Sequence, residues 1–274
     1  MNWDVLFDPL FWTPFITGFL LAVILPVLGV LLRLKDEWLA ALGLAHLAGA
    51  SGLVGLAVGI PVVLGAPLGA LAGALIKSFG RFSGNTIYAL MILIGWAATL
   101  LIAANTTLGS AMGHALVEGQ LYFADNTHLV SAYIYALSSI LLLQWMAPVL
   151  VSARLFPGHA FSLHHSVRKW HIGFNLLVAL GMALGTGTLG LMAAFALVFI
   201  PAWVAFRLAS RWRVCLAIGT GIGLISYILA FAIALILDQP FGPTLVAVLI
   251  MQAIMALIFW PAPTQQPKSP TSSV

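Results

Sequence analysis

Charge is scarce in this sequence. Only 7% of its 274 residues are charged, against 62% hydrophobic, where a soluble domain carries roughly 25% charged residues. That shortage excludes an ordinary soluble globule. Cysteine is nearly absent as well: the single Cys215 rules out a disulfide within the chain and any cysteine-cluster metal site. Carboxylates are missing from the interior of every long apolar run, which removes the usual groups for proton relays and carboxylate-bound metal chemistry. No HExxH, GxSxG or glycine-rich phosphate loop occurs. The chain is therefore not expected to be an enzyme, and ATP-driven work would need a separate ATPase.

What is present is apolar length. Runs of about 18 or more apolar residues recur from end to end, as in a polytopic membrane protein. Lipid satisfies no backbone polar group, so only helices and closed barrels span it. These runs are continuous rather than alternating, which selects an all-α bundle. About nine spans are expected, or eight if a short one is re-entrant. They run Phe11–Leu32, Trp38–Ile60, Pro61–Lys77, Asn85–Ala104, Leu129–Ala153, His171–Thr186, Gly190–Ala209, Val214–Leu237 and Gly242–Trp260. They make one transmembrane domain over 1–260. The Pro/Ser/Thr/Gln-rich segment 261–274 reads as a disordered cytoplasmic tail. The N-terminus lacks the basic region of a cleaved signal, so the first span is expected to be retained.

The placement of the few charges sets orientation. With the N-terminus outside, the inner segments hold Arg33, Lys35, Lys77, Arg81, Arg154, Arg168, Lys169, Arg207, Arg211, Arg213 and Lys268, which are all 11 basic residues. The outer segments hold Asp4, Asp8, Glu118, Asp125 and Asp238. Such asymmetry is the positive-inside pattern, and it puts the C-terminus in the cytoplasm. It also removes the nucleic-acid reading that a net charge of +4 invites, because the bases lie in short inter-span loops.

Seven histidines are the remaining candidate ligands. His46 sits mid-span in Ala41–Gly49. It is either a stop on a solute path or a histidine bonded within a helix interface. His114 and His128 lie in the outer connection beside Glu118 and Asp125. His159, His164, His165 and His171 cluster with Arg168 and Lys169 in the inner segment Arg154–Trp170, with no zinc-motif spacing. They form a metal sensor or a polar surface for a partner chain. Pro201 removes a hydrogen bond inside a span and is expected to kink or break it. Gly65-x-x-x-Gly69-x-x-x-Gly73 is a small-residue ladder, for close helix packing within one subunit or else for a homodimer seam or pore lining.

Four stretches carry a resemblance. Gly190–Ala209 is similar to a Gly-x-Leu-Leu-x-x-Ala-Leu-Leu-x-x-Pro-Ala-x-x-Ala pattern. Asp238-Gln239-Pro240-Phe241-Gly242-Pro243 resembles an Asp-x-Pro-x-Gly turn. Leu116-Val117-Glu118-Gly119-Gln120-Leu121 resembles a Leu-Phe-Gly-x-x-Leu segment. Ala45-His46 with Gly49 resembles Asp-x-x-x-His-Ala. Together, from Phe15 to Trp260, they resemble the permease subunits of bacterial zinc/manganese-uptake ABC transporters.

The resemblance implies a multi-pass permease of the bacterial inner membrane, a homodimer surrounded by lipid. Cytoplasmic ATP-binding subunits would drive it and an external solute-binding protein would feed it. Residues Arg154, His159, His164, His165, Arg168 and Lys169 fall where the family carries its ATPase-coupling loop. His46 would meet the transported divalent ion transiently, on a path shaped by Pro201. The family's aspartate four residues earlier is Leu42 here, its arginine pair is Lys35-Asp36, and the acidic start of its coupling loop is missing. Loss of that carboxylate favours zinc over manganese, since imidazole suits zinc and carboxylate suits manganese. No resident cofactor is expected. Two alternatives stay open: a permease for another solute such as a metal chelate, and a non-transporting membrane subunit that binds haem or quinone.

Overall fold

The computed structural model describes residues 8–80, 85–106, 119–155 and 164–259. Among them are nine helices long and apolar enough to cross a membrane. They are α1 (Trp12–Leu34), α2 (Leu39–Ala57), α3 (Val62–Phe79), α4 (Thr86–Asn105), α5 (Asn126–Leu155), α6 (His164–Thr188), α7 (Leu191–Leu208), α8 (Trp212–Ile236) and α9 (Phe241–Phe259). One-turn 3₁₀ helices at Pro9–Phe11 and Leu121–Phe123 cover the outer end. The expected tail, Arg81, His114, Glu118 and His159 lie outside the described residues.

Three helices end in the same way. Glu37 N–H donates to Leu32 O at 3.0 Å, Ile60 N–H to Gly55 O at 2.8 Å, and Gln239 N–H to Ala234 O at 2.9 Å. The residue before each donor is left-handed: Asp36 at φ 58°, Gly59 at 82° and Asp238 at 52°. This turn recaptures carbonyls that the helix end would leave open, and glycine and aspartate tolerate its backbone better than most residues. It reverses the chain within a few residues, so consecutive spans lie antiparallel.

The core is centred on α1, which packs against α5, α7 and α8, while α2 packs against α3, α4 and α6. Lipid tails are as apolar as leucine, so helices associate by close contact rather than by escape from water. Glycine supplies that contact. A Cβ at Gly29 would penetrate the Val198 carbonyl of α7. The Gly65–Gly69–Gly73 ladder of α3 lies on α2, where Gly65 meets Ser51 and Gly52, Gly69 meets Ser51 and Leu47, and Gly73 meets Leu47. Ser51 Oγ then accepts from the Gly69 N–H at 3.2 Å and donates to Ala66 O at 3.2 Å. The ladder is therefore an intrasubunit seam.

Tyrosines tie the remaining spans. Tyr227 donates to Phe15 O at 2.8 Å over Gly18, and Tyr135 donates to Leu177 O at 2.9 Å over Gly181. At the outer end Phe11, Phe15, Tyr122, Tyr227, Phe231 and Phe241 form one aromatic cluster. Gly119 at φ 93° lays its backbone on Leu189, and Gln120 N–H donates to Thr188 O at 3.1 Å. Gly119 and Gln120 are thereby pinned to the α6–α7 turn.

Overpacking a close seam costs about 1–3 kcal/mol. Gly69→Val should lower the melting midpoint of the detergent-solubilised protein markedly. Gly221→Ala, whose Cβ meets nothing within 4 Å, should leave it unchanged. Fluorescence-detected melting of both variants checks the pair.

Candidate functional site

His46 lies in the middle of α2 and is 4% exposed. Gly95 of α4 brings it there. A Cβ on Gly95 would sit 2.6 Å from the His46 carbonyl carbon, so the two backbones touch. The imidazole faces Trp96, with ring centroids 5.9 Å apart at 56°. Its Nδ1 is 2.9 Å from Leu42 O, one turn earlier. A carbonyl only accepts, so Nδ1 carries the proton and Nε2 keeps its lone pair. That is the tautomer of a metal ligand, held by a backbone bond. Leu42 packs its own side chain on the core. Among the described residues, no group of three His, Cys, Asp or Glu is arranged to hold a metal.

Neighbouring polarity is sparse. Gly49, close to one turn on from His46, faces Thr186 of α6, with 3.9 Å from its would-be Cβ to Thr186 Cγ2. The Thr186 hydroxyl is buried without a hydrogen-bond partner. Pro201 is buried in α7, which runs through it as one helix. The expected break is absent. Neighbours accommodate the position: Gly219 of α8 leaves its would-be Cβ 3.6 Å from Pro201 O.

The two described ends of the inner segment are helical. Arg154 falls in the last turn of α5 and His164 opens α6, so the helix carrying the span expected to begin at His171 starts two turns earlier, while its stretch apolar enough to cross a membrane begins at Arg168. His164 and His165 belong to that first turn, and Arg168 and Lys169 are exposed just beyond it. His171 is half-buried and separated from His46, at the inner end of the bundle. At the outer end, His128 Nδ1 lies 2.7 Å from Asp125 Oδ1. That hydrogen bond, with the His128 backbone N–H, holds the Asp125 carboxyl below its ordinary range.

The inner ends of α1, α3 and α6 converge on a polar cluster that no single sequence motif announces. Glu37 lies 3.0 Å from Lys35 Nζ and 3.3 Å from Lys77 Nζ. Lys35 also donates to Asn175 Oδ1 at 3.2 Å, Asn175 to Ser78 Oγ at 3.1 Å, and Ser78 to Ala74 O at 2.7 Å. The left-handed turn at Asp36 places Glu37 there. A cavity of about 180 Å³ opens beside these groups, and Arg168 and His171 also line it. Burial pushes the Glu37 carboxyl up, but Lys35 and Lys77 outweigh it, and the group titrates below its ordinary value. Burial also draws the Lys35 ammonium down, with Glu37 opposing. The available signals were Asn175 inside an apolar run and Glu37 among bases. Neither names its partners.

Comparison with known proteins gives a consistent result. The family model described as "ABC 3 transport family" matches residues 8–260. The chelated iron transport system membrane protein YfeD of Yersinia pestis is 22% identical over 206 residues, covering 74% of this chain and 69% of YfeD. The fold matches PsaBC of Streptococcus pneumoniae, solved with a Fab, at TM-score 0.79 and 15% identity over 94% of both chains. It also matches an inward-facing structure assigned to the metal-chelate type of ABC transporter, at TM-score 0.70 and 17% identity, over 93% of this chain and 88% of that one.

A carboxyl depressed by folding contributes stability above its unfolded value, near pH 4.3, and loses it as pH falls through the folded value. Melting midpoints recorded from about pH 6 down to about pH 3 should therefore fall in acid. Glu37→Gln should begin lower and lose much of that dependence. Breaking one side of a buried pair costs about 3–5 kcal/mol.

Proposed function

The chain belongs to the ABC 3 transport family, and we propose that it is the membrane-spanning subunit through which a divalent metal ion enters a bacterial cell across the inner membrane. Family membership over nearly the whole chain supports a multi-pass permease. The observation that carries the metal reading is the His46 tautomer. Nδ1 is anchored to Leu42 O, which leaves Nε2 as the donor atom for a soft or borderline ion.

One imidazole makes a weak site, and a path needs weak sites. A closed set of three or four ligands would hold an ion rather than pass it. Two copies related by a two-fold axis would bring two His46 residues to the path, with Trp96 and the Thr186 hydroxyl along its wall. With Leu42 where the family places an aspartate, the site favours zinc over manganese. ATP hydrolysis comes from separate cytoplasmic subunits docking at the α5–α6 connection, where Arg154 and Lys169 are exposed. An external binding protein delivers the ion at the opposite end.

A second reading has its own support. YfeD is named for chelated iron, and an apolar Leu42 beside a lone imidazole suits a cargo that brings its own ligands. In metal-depleted cells, His46→Ala should cut zinc uptake by about tenfold at equal membrane abundance, an effect of the size seen when a metal contact is weakened. Unchanged uptake would remove His46 from the path. Competition by a chelate rather than by free zinc would select the second reading.

A further inference from the structure

The inner cavity between α1, α3 and α6 carries more positive charge than the protein neutralises. Lys35, Lys77 and Arg168 line it with a single carboxylate, Glu37. Glu37 is already shared between the two lysines. Arg168 lies 5.9 Å from the Phe79 ring centroid, with no carboxylate of the described residues in ion-pair contact. The sequence offers no further acid on this side. Asp36 and Glu37 are the only carboxylates among its cytoplasmic segments, against all 11 basic residues.

The lysine side chains are 9% and 10% exposed, so water does little to screen them. The Ser78 hydroxyl and the Asn175 amide add neutral groups to the same wall. Two shielded ammonium groups with the exposed Arg168 guanidinium at the cavity rim suit a group with several acceptor oxygens and negative charge, and guanidinium matches phosphate geometry in particular.

Position narrows the source of that phosphate. The cavity sits at the cytoplasmic end of α3. From there Phe79, Ile76 and Leu75, and farther along Leu68 and Leu64, are exposed along the helix. Acyl chains laid on this strip would bring a headgroup phosphate to the level of Lys77 and Arg168. Basic pockets between spans on the cytoplasmic side bind anionic lipid headgroups through this arrangement. We propose that the cavity lined by Lys35, Lys77, Arg168 and His171 is a phosphate-binding site occupied by the headgroup of an anionic phospholipid of the inner leaflet.

The test uses the full-length chain in a neutral detergent, melted with phosphatidylglycerol, phosphatidylcholine or inorganic phosphate. Phosphatidylglycerol should raise the wild-type midpoint saturably by about 5 °C, and phosphatidylcholine should not. Arg168→Gln, which breaks no ion pair, should keep the lipid-free midpoint and lose more than half of the shift. Arg168→Lys should retain most of it. Phosphatidylglycerol should also remain with the wild-type protein in native mass spectrometry and be depleted from Arg168→Gln. An equal response to the two lipids, or equal shifts in wild type and Arg168→Gln, would overturn the site. A shift with inorganic phosphate but none with phosphatidylglycerol would keep the phosphate pocket and overturn the lipid as its occupant.

Discussion

The architecture depends on backbone approaching backbone in a solvent that gives apolar side chains no reason to leave it. Seams on α1, α3 and α4 are each opened by a residue without a side chain: Gly29 against Val198, Gly69 against Leu47 and Ser51, Gly95 against His46. Dispersion is weak per contact and falls off quickly with a gap, so a seam holds only if the surfaces meet closely. Bulk is then directed elsewhere. Large apolar side chains of α3, α4 and α5 point outward, among them Leu93, Ile134 and Trp145.

The same constraint governs the polar groups. A hydroxyl or ammonium in this environment needs a local partner, and the chain supplies one at most such groups through short bonds, the Thr186 hydroxyl being an exception. Tyr135 and Tyr227 reach backbone carbonyls of other helices, and Ser51 bridges α2 and α3. Lys35, Glu37 and Lys77 join the α1–α2 connection to α3 in one ion-pair network at the inner surface, and Asn175 of α6 bonds to Lys35. Orientation and packing are thus linked: the bases that mark the cytoplasmic side also close the end of the bundle, through a carboxylate delivered by the left-handed Asp36 turn. The excess charge that remains is what fits the adjoining cavity for an anion.

In the proposed function, His46 combines a structural role with a transport role in one side chain. The Nδ1 bond to its own helix and the contact with Gly95 are what a packed histidine requires. They also determine the ring's tautomer and leave one nitrogen able to bind. An aspartate in place of Leu42 would add a second ligand on the same helix face, since positions four apart are neighbours there. An apolar residue leaves a weaker and softer site.

Apolar length and charge placement were enough to read nine spans and their direction, and four motif stretches carried the resemblance to the family, because each is a local property of the chain. Glycine spacing likewise marked α3 as a packing helix. The partner of that ladder was not legible, since Gly65–Gly73 would suit another subunit as well as α2. Pro201 was read as a kink or break; α7 continues through it, so the break is absent, because a proline's effect depends on neighbours such as Gly219. Hydropathy ended a span at His171, while α6 continues to His164, because an amphiphilic turn can extend a helix past the apolar stretch. The grouping of Lys35, Glu37, Lys77, Arg168 and Asn175 belongs to the tertiary structure alone. These residues come from three helix ends far apart in sequence, and electrostatic partnership depends on distance in space, which composition and spacing do not encode.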